Sequence, residues 1–104
     1  MIKVTDDTFE IFKTSGDKKK ILKLGATWCG PCLASVPACN QLSQELKNDY
    51  DIGELDIEEA VNTATMLSCK GVPLFIKFDQ EGKEVSRKVG WPGIEELRSW
   101  ITSN

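Results

Sequence analysis

Residues 27–32 read Thr-Trp-Cys-Gly-Pro-Cys. Two thiols three positions apart serve one of three ends: half of a metal clamp, a structural staple, or a redox couple. A structural zinc ion takes four ligands, commonly from two such pairs. The remaining cysteines, Cys39 and Cys69, do not form a second pair, and the chain contains no histidine. Static cross-links suit oxidising compartments, whereas a CxxC beside a β-α-β pattern in a reducing one reads as a redox motif. The neighbouring residues supply that pattern. Lys20–Ala26 (KILKLGA) is a strand candidate, and a helix is expected from Pro31 to Lys47. Within it Cys32, Val36, Cys39, Ser43 and Leu46 recur at spacings of four and three and share one face. Pro37 lies inside this run and is expected to kink it, because it has no N–H for the helical ladder.

Cys29 thereby falls at a strand-to-helix junction. The first N–H groups of a helix are unpaired and carry partial positive charge, which stabilises a thiolate, the reactive form of cysteine. Pro31 in the first turn sacrifices no hydrogen bond and fixes the backbone, while Gly30 leaves the approach to Cys29 open. Cys32 lies one turn on, within reach for a small disulfide. The spacing supports a two-step exchange in which Cys29 attacks a disulfide and Cys32 resolves the mixed disulfide.

The 104 residues amount to one domain, expected to span 1–104, with enough chain for a single core. Thirteen basic residues against 16 acidic leave a net charge of −3, so no basic excess exists to neutralise phosphates and no nucleic-acid partner is expected. Lys18-Lys19-Lys20 reads as a solvated turn. The start, MIKVTDD, lacks the apolar core of a signal peptide, and no apolar stretch is long enough to span a bilayer. The expectation is a cytoplasmic chain without a membrane partner. Met1–Val4 is a short strand candidate. Asp7 and Glu10 have capping-box character, giving a helix from about Asp6 to Thr14 that Gly16 ends. Further on come a strand at Asp51–Asp56, a helix at Ile57–Leu67, strands at Leu74–Phe78 and Val85–Val89 around a polar loop at Asp79–Lys83, and a helix at Gly93–Thr102. The order β-α-β-α-β-α-β-β-α predicts a mixed sheet with helices on both faces.

Trp-Cys-Gly-Pro-Cys at 28–32 resembles the active-site motif of the thioredoxin family. Further similarities run along nearly the whole chain: TDDTF at 5–9 with the start of the first helix, Pro37 with the helix proline, GVP at 71–73 with the cis-proline loop, and VGW at 89–91 with a Val-Gly segment. The resemblance implies the α/β thioredoxin fold, a central mixed five-stranded sheet flanked by four helices. It also implies a monomeric carrier that reduces protein disulfides through a reversible Cys29–Cys32 disulfide, without a bound cofactor. A flavin- and NADPH-dependent thioredoxin reductase would supply the electrons. In this role Cys29 resembles the nucleophile and Cys32 the resolving thiol. Trp28, Gly30, Pro31, Val72, Pro73, Gly90 and Trp91 would form the docking surface, with the Val72 backbone offering strand-like hydrogen bonds to substrate.

The chain departs from the family at several positions. Lys23 stands where a buried aspartate is usual, and Glu54 where that aspartate's lysine partner is frequent. The pair looks charge-swapped, and both residues are candidates for a part in the chemistry. A lone buried ammonium is costly, so Lys23 is expected either to pair with Glu54 beneath the cysteines or to snorkel to the surface. Gly25 replaces a common second tryptophan, Trp91 a common small residue, and Leu33 a common basic one. Cys39 reads as a buried core thiol and Cys69 as a partly buried one. Two other functions stay open: a binding module with incidental redox activity, and an oxidase or isomerase running the same chemistry in reverse.

Overall fold

The central strand of the molecule is Lys19–Gly25, and its alternating side chains sort the structure into two layers. The computed structural model describes residues 1–103. It contains, in chain order, β1 (Ile2–Lys3), α1 (Phe9–Thr14), β2 (Lys19–Gly25), α2 (Gly30–Glu45), β3 (Tyr50–Asp56), α3 (Val61–Met66), β4 (Leu74–Phe78), β5 (Glu84–Val89) and α4 (Ile94–Thr102). The sheet order is β1-β3-β2-β4-β5. β2 runs parallel to β3, which runs parallel to β1, while β4 is antiparallel to both β2 and β5. This is the thioredoxin fold: a mixed five-stranded sheet with four helices.

Successive side chains on a strand point to opposite faces. Leu22 and Leu24 of β2 therefore join Leu55, Leu74 and Ile76 under Phe9 and Phe12 of α1 and Ala64 of α3. Ile21, Ile52 and Phe75 meet Cys39 and Leu42 of α2 and Leu97 and Ile101 of α4 on the other side. Lys23 and Glu54 share this second face and are register partners across β2 and β3. Among the described residues no helix is long and apolar enough to cross a membrane.

Several local expectations give way to longer-range contacts. The capping box at Asp7 and Glu10 does not form: Thr8 occupies the N-cap of α1 without a side-chain cap bond, and its Oγ1 instead accepts from the Thr5 N–H at 2.9 Å. Asp6 is used elsewhere. Its carboxylate accepts from the Thr63 N–H at 2.8 Å and the Thr63 hydroxyl at 2.6 Å, capping the start of α3 across the fold. That helix begins at Val61, not Ile57, because the Asp56 carboxylate accepts from Glu58 N–H and holds 56–60 as a turn.

α2 ends at Glu45, short of Lys47, and continues through Pro37. Its buried stripe is Cys32, Ser35, Cys39 and Leu42, rotated slightly from the expected one, with Val36, Ser43 and Leu46 along its margin. Lys20 is not in a solvated turn. It is fully buried in β2, its ammonium donating to Lys18 O at 2.7 Å and lying 3.8 Å from the Asp51 carboxylate.

Candidate active site

β2 delivers the chain to one end of the sheet, and the turn 26–29 reverses it into α2. Cys29 is the N-cap of α2, with extended φ and ψ of −91° and 110°. Its backbone N–H donates to Ala26 O at 3.2 Å, and its carbonyl accepts from Leu33 N–H at 3.1 Å. The sulfur takes the place usually filled by a serine or aspartate oxygen: Sγ accepts from the Cys32 N–H at 3.1 Å. A hydrogen bond to sulfur at a helix start favours the anion over the neutral thiol. Gly30-Pro31-Cys32-Leu33 brings no carboxylate into that first turn to oppose it.

Cys29 and Cys32 are joined by a disulfide, with Cα atoms 5.2 Å apart. Both sulfurs sit in a small apolar nest with Ala26, against which Ile57 and Val72 pack. Cys29 is 6% exposed and Cys32 2%, so the first cysteine is the more open. The Val72–Pro73 peptide is cis, and Val72 O lies 3.8 Å from Cys29 Sγ. Gly90 N–H donates to Pro73 O at 2.8 Å, which brings the end of β5 to the same edge. Trp28, Gly30 and Pro31 are exposed around Cys29, and Val72 is half-buried. Pro73 itself is buried, and Trp91 is half-buried against the α2–α4 core.

Lys23 and Glu54 are neighbours but not partners. Neither takes part in an ion pair among the described residues. Lys23 is 3% exposed and donates from Nζ to the Cys32 carbonyl at 3.0 Å, while Glu54 is exposed. Both the expected ion pair and the expected snorkelling are therefore corrected. A buried pair would strip water from two charges; here the carboxylate keeps its water and the ammonium finds a helix carbonyl. Sequence reading passed over Ser35, whose buried hydroxyl donates to the same carbonyl at 2.7 Å. Its signal is a small polar residue one turn after Cys32 on the buried stripe.

Cys39 is a free buried thiol, as expected, and burial raises its pKa above the ordinary value, with the Lys23 charge opposing. Cys69 is free and half-buried, its thiol 3.6 Å from Gly71 O, and burial raises its pKa too.

A helix-start thiol bonded to a second thiol one turn on is a dithiol–disulfide oxidoreductase centre. The thioredoxin family model matches residues 1–103. Curated relatives named thioredoxin include that of Staphylococcus haemolyticus, 34% identical over 93% of this chain and 90% of its own length. The thioredoxin of Mycobacterium bovis is 34% identical over 92% of this chain and 82% of its own. That of the Acyrthosiphon pisum subspecies of Buchnera aphidicola is 30% identical over the whole chain and 95% of its own. This chain belongs to the thioredoxin family and is a protein-disulfide reductase of the thioredoxin kind.

Proposed function

We propose that the chain is a cytoplasmic electron carrier, recharged by a flavin- and NADPH-dependent reductase and discharged on protein disulfides. Exposed Trp28, Gly30 and Pro31, with Val72, Pro73, Gly90 and Trp91, form the docking surface in this reading. The observation that carries it is the lodging of Cys29 Sγ between the Cys32 N–H and the Val72 carbonyl. A substrate strand lying along Val72 would bring its own disulfide to that sulfur.

The exchange balances in two steps. The Cys29 thiolate attacks one substrate sulfur, forming a mixed disulfide and releasing the other substrate sulfur as a thiolate. Cys32 then loses its proton to water and attacks Cys29 Sγ. The Cys29–Cys32 disulfide forms, the second substrate thiolate leaves, and both released thiolates take up protons. Two electrons have passed from the pair to the substrate. The matching reductase returns them from NADPH.

The test is insulin reduction coupled to NADPH oxidation through a thioredoxin reductase. Wild type is expected to turn over, Cys29→Ser to be inactive, and Cys32→Ser to accumulate the mixed disulfide. Undiminished turnover by Cys29→Ser would overturn the reading.

A further inference from the structure

Cys32 is served from its other flank by a cleft of about 250 Å³, walled by Lys23, Gly25, Cys32, Val36, Glu54 and Asp56. Cys29 is not among the residues that line it. The cleft is therefore lined by the resolving cysteine and not by the attacking one. Gly25 is what opens it: a Cβ there would stand 3.3 Å from Cys32 Sγ and 3.8 Å from Lys23 Cε. The resolving sulfur and the lysine stem thus flank the same point over Gly25. The lysine head is tied to the Cys32 carbonyl at 3.0 Å, and Ser35 Oγ donates to that carbonyl at 2.7 Å.

We propose that Lys23 is a positioning residue for the second exchange step: a fixed cation, anchored on the Cys32 carbonyl, that favours the Cys32 thiolate while water in the cleft carries its proton away. This rests on the reading of the chain as a disulfide reductase. An ammonium has no site to accept a proton, so Lys23 acts by field and not as a base. Its field is little screened, because the lysine is 3% exposed and makes no ion pair among the described residues.

The other charged groups on the cleft are Lys3 of β1, Glu54 and Asp56 of β3, and Glu59 in the following turn. Glu54 and Glu59 are exposed, and Glu59 already faces Lys3 at 3.0 Å. The α2 wall, Cys32, Leu33 and Val36, brings no charge besides the thiol itself, and Phe75 of β4, the register partner of Lys23, is neutral. The nearby Cys39 thiol is held protonated by burial. Lys23 is thus the buried cation facing Cys32, and the cleft's acids keep contact with water.

The consequence is read in equilibrium and in rate. A cation that favours thiolate stabilises the reduced pair relative to the disulfide. In Lys23→Met the glutathione equilibrium at pH 7 is expected to move about tenfold toward the disulfide, a potential about 30 mV more negative. Release of a chromogenic thiol from its mixed disulfide with Cys29 is expected to slow about tenfold at pH 7 and to recover in alkali. Lys23→Gln, which keeps an N–H donor without the charge, is expected to follow Lys23→Met. Wild-type potential and pH profile in Lys23→Met would overturn the proposal, as would wild-type behaviour in Lys23→Gln.

A further measurement leaves Lys23 in place. In Cys29→Ser, thiolate absorbance is expected to show Cys32 ionising at lower pH than a free cysteine, and ionisation no easier than that would overturn the proposal even if both lysine variants misfolded. The glutathione equilibrium needs no protein substrate, so failure of insulin reduction with an intact potential shift would count against the reductase reading alone.

Discussion

Gly53 lies where β3 passes directly beneath α1. A Cβ there would fall 2.8 Å from Val4 Cγ2 and 2.9 Å from the Phe12 ring, closer than real contacts allow. Both neighbours are buried and have nowhere to retreat. Gly53→Ala is expected to cost about 1–3 kcal/mol by overpacking, seen as a lower urea midpoint. Cys29 reactivity should be unchanged, since Gly53 faces the layer opposite α2.

The thiols separate in a similar way. In the reduced protein at neutral pH, iodoacetamide is expected to label Cys29 first and Cys69 slowly, reaching Cys39 only on unfolding; peptide mass analysis reads the order. Burial raises the pKa of both Cys39 and Cys69, whereas the helix start favours the Cys29 thiolate.

Val72 was named only through the family resemblance, whereas the Cys29–Cys32 pair was legible from the sequence because its chemistry follows from spacing and motif. The partner of Lys23 was not. Its sequence neighbours Leu22 and Leu24 left burial and snorkelling equally open, and the choice between Glu54 and a helix carbonyl depends on which group keeps its water. Ser35 escaped notice for the same reason, since its role is defined by a carbonyl it shares with a lysine on another element.

Among the elements, α3 shows how a local reading goes astray. Its six residues are too few to be stable alone, and the Asp6 carboxylate ties its first turn to the segment before α1. The Thr63 hydroxyl first, then the Thr63 and Asn62 N–H groups, lower the Asp6 pKa below its ordinary 3.8. A carboxylate with a depressed folded pKa contributes stability that is present above its unfolded value and lost as pH falls through the folded one. Asp6→Ala is expected to lower the urea midpoint at pH 7. The difference from wild type should shrink as the pH drops below 3.8, which denaturation series at several pH values would measure.

Nothing local announces this cap, because Asp6 and Thr63 are distant in sequence; the nearby Asp7–Glu10 spacing offered a plausible but unused alternative. The strands were read more closely, since β2 and β4 are short apolar runs, buried along nearly their whole length, that stand out whatever their partner. α2 was placed nearly to its ends, for a helix with a proline in its first turn and a buried stripe leaves a long signature.

At the scale of the whole molecule, element order and the two-layer core were legible because the apolar pattern dictates them. Strand order was not, since alternation says which face is buried but not which strand lies beside which. In the observed order, β2 takes β3 on one side and β4 on the other, with Leu22 opposite Gly53 and Ile76. The strand that leads into Cys29 is thus completed by the segment that follows cis-Pro73. During synthesis the first half of the chain emerges with its middle strand open along one flank, and it stays so until Phe78 has left the ribosome. The two walls of the redox centre come from opposite sides of that delay, so a growing chain holds its cysteines before it holds the groove that gives them a partner.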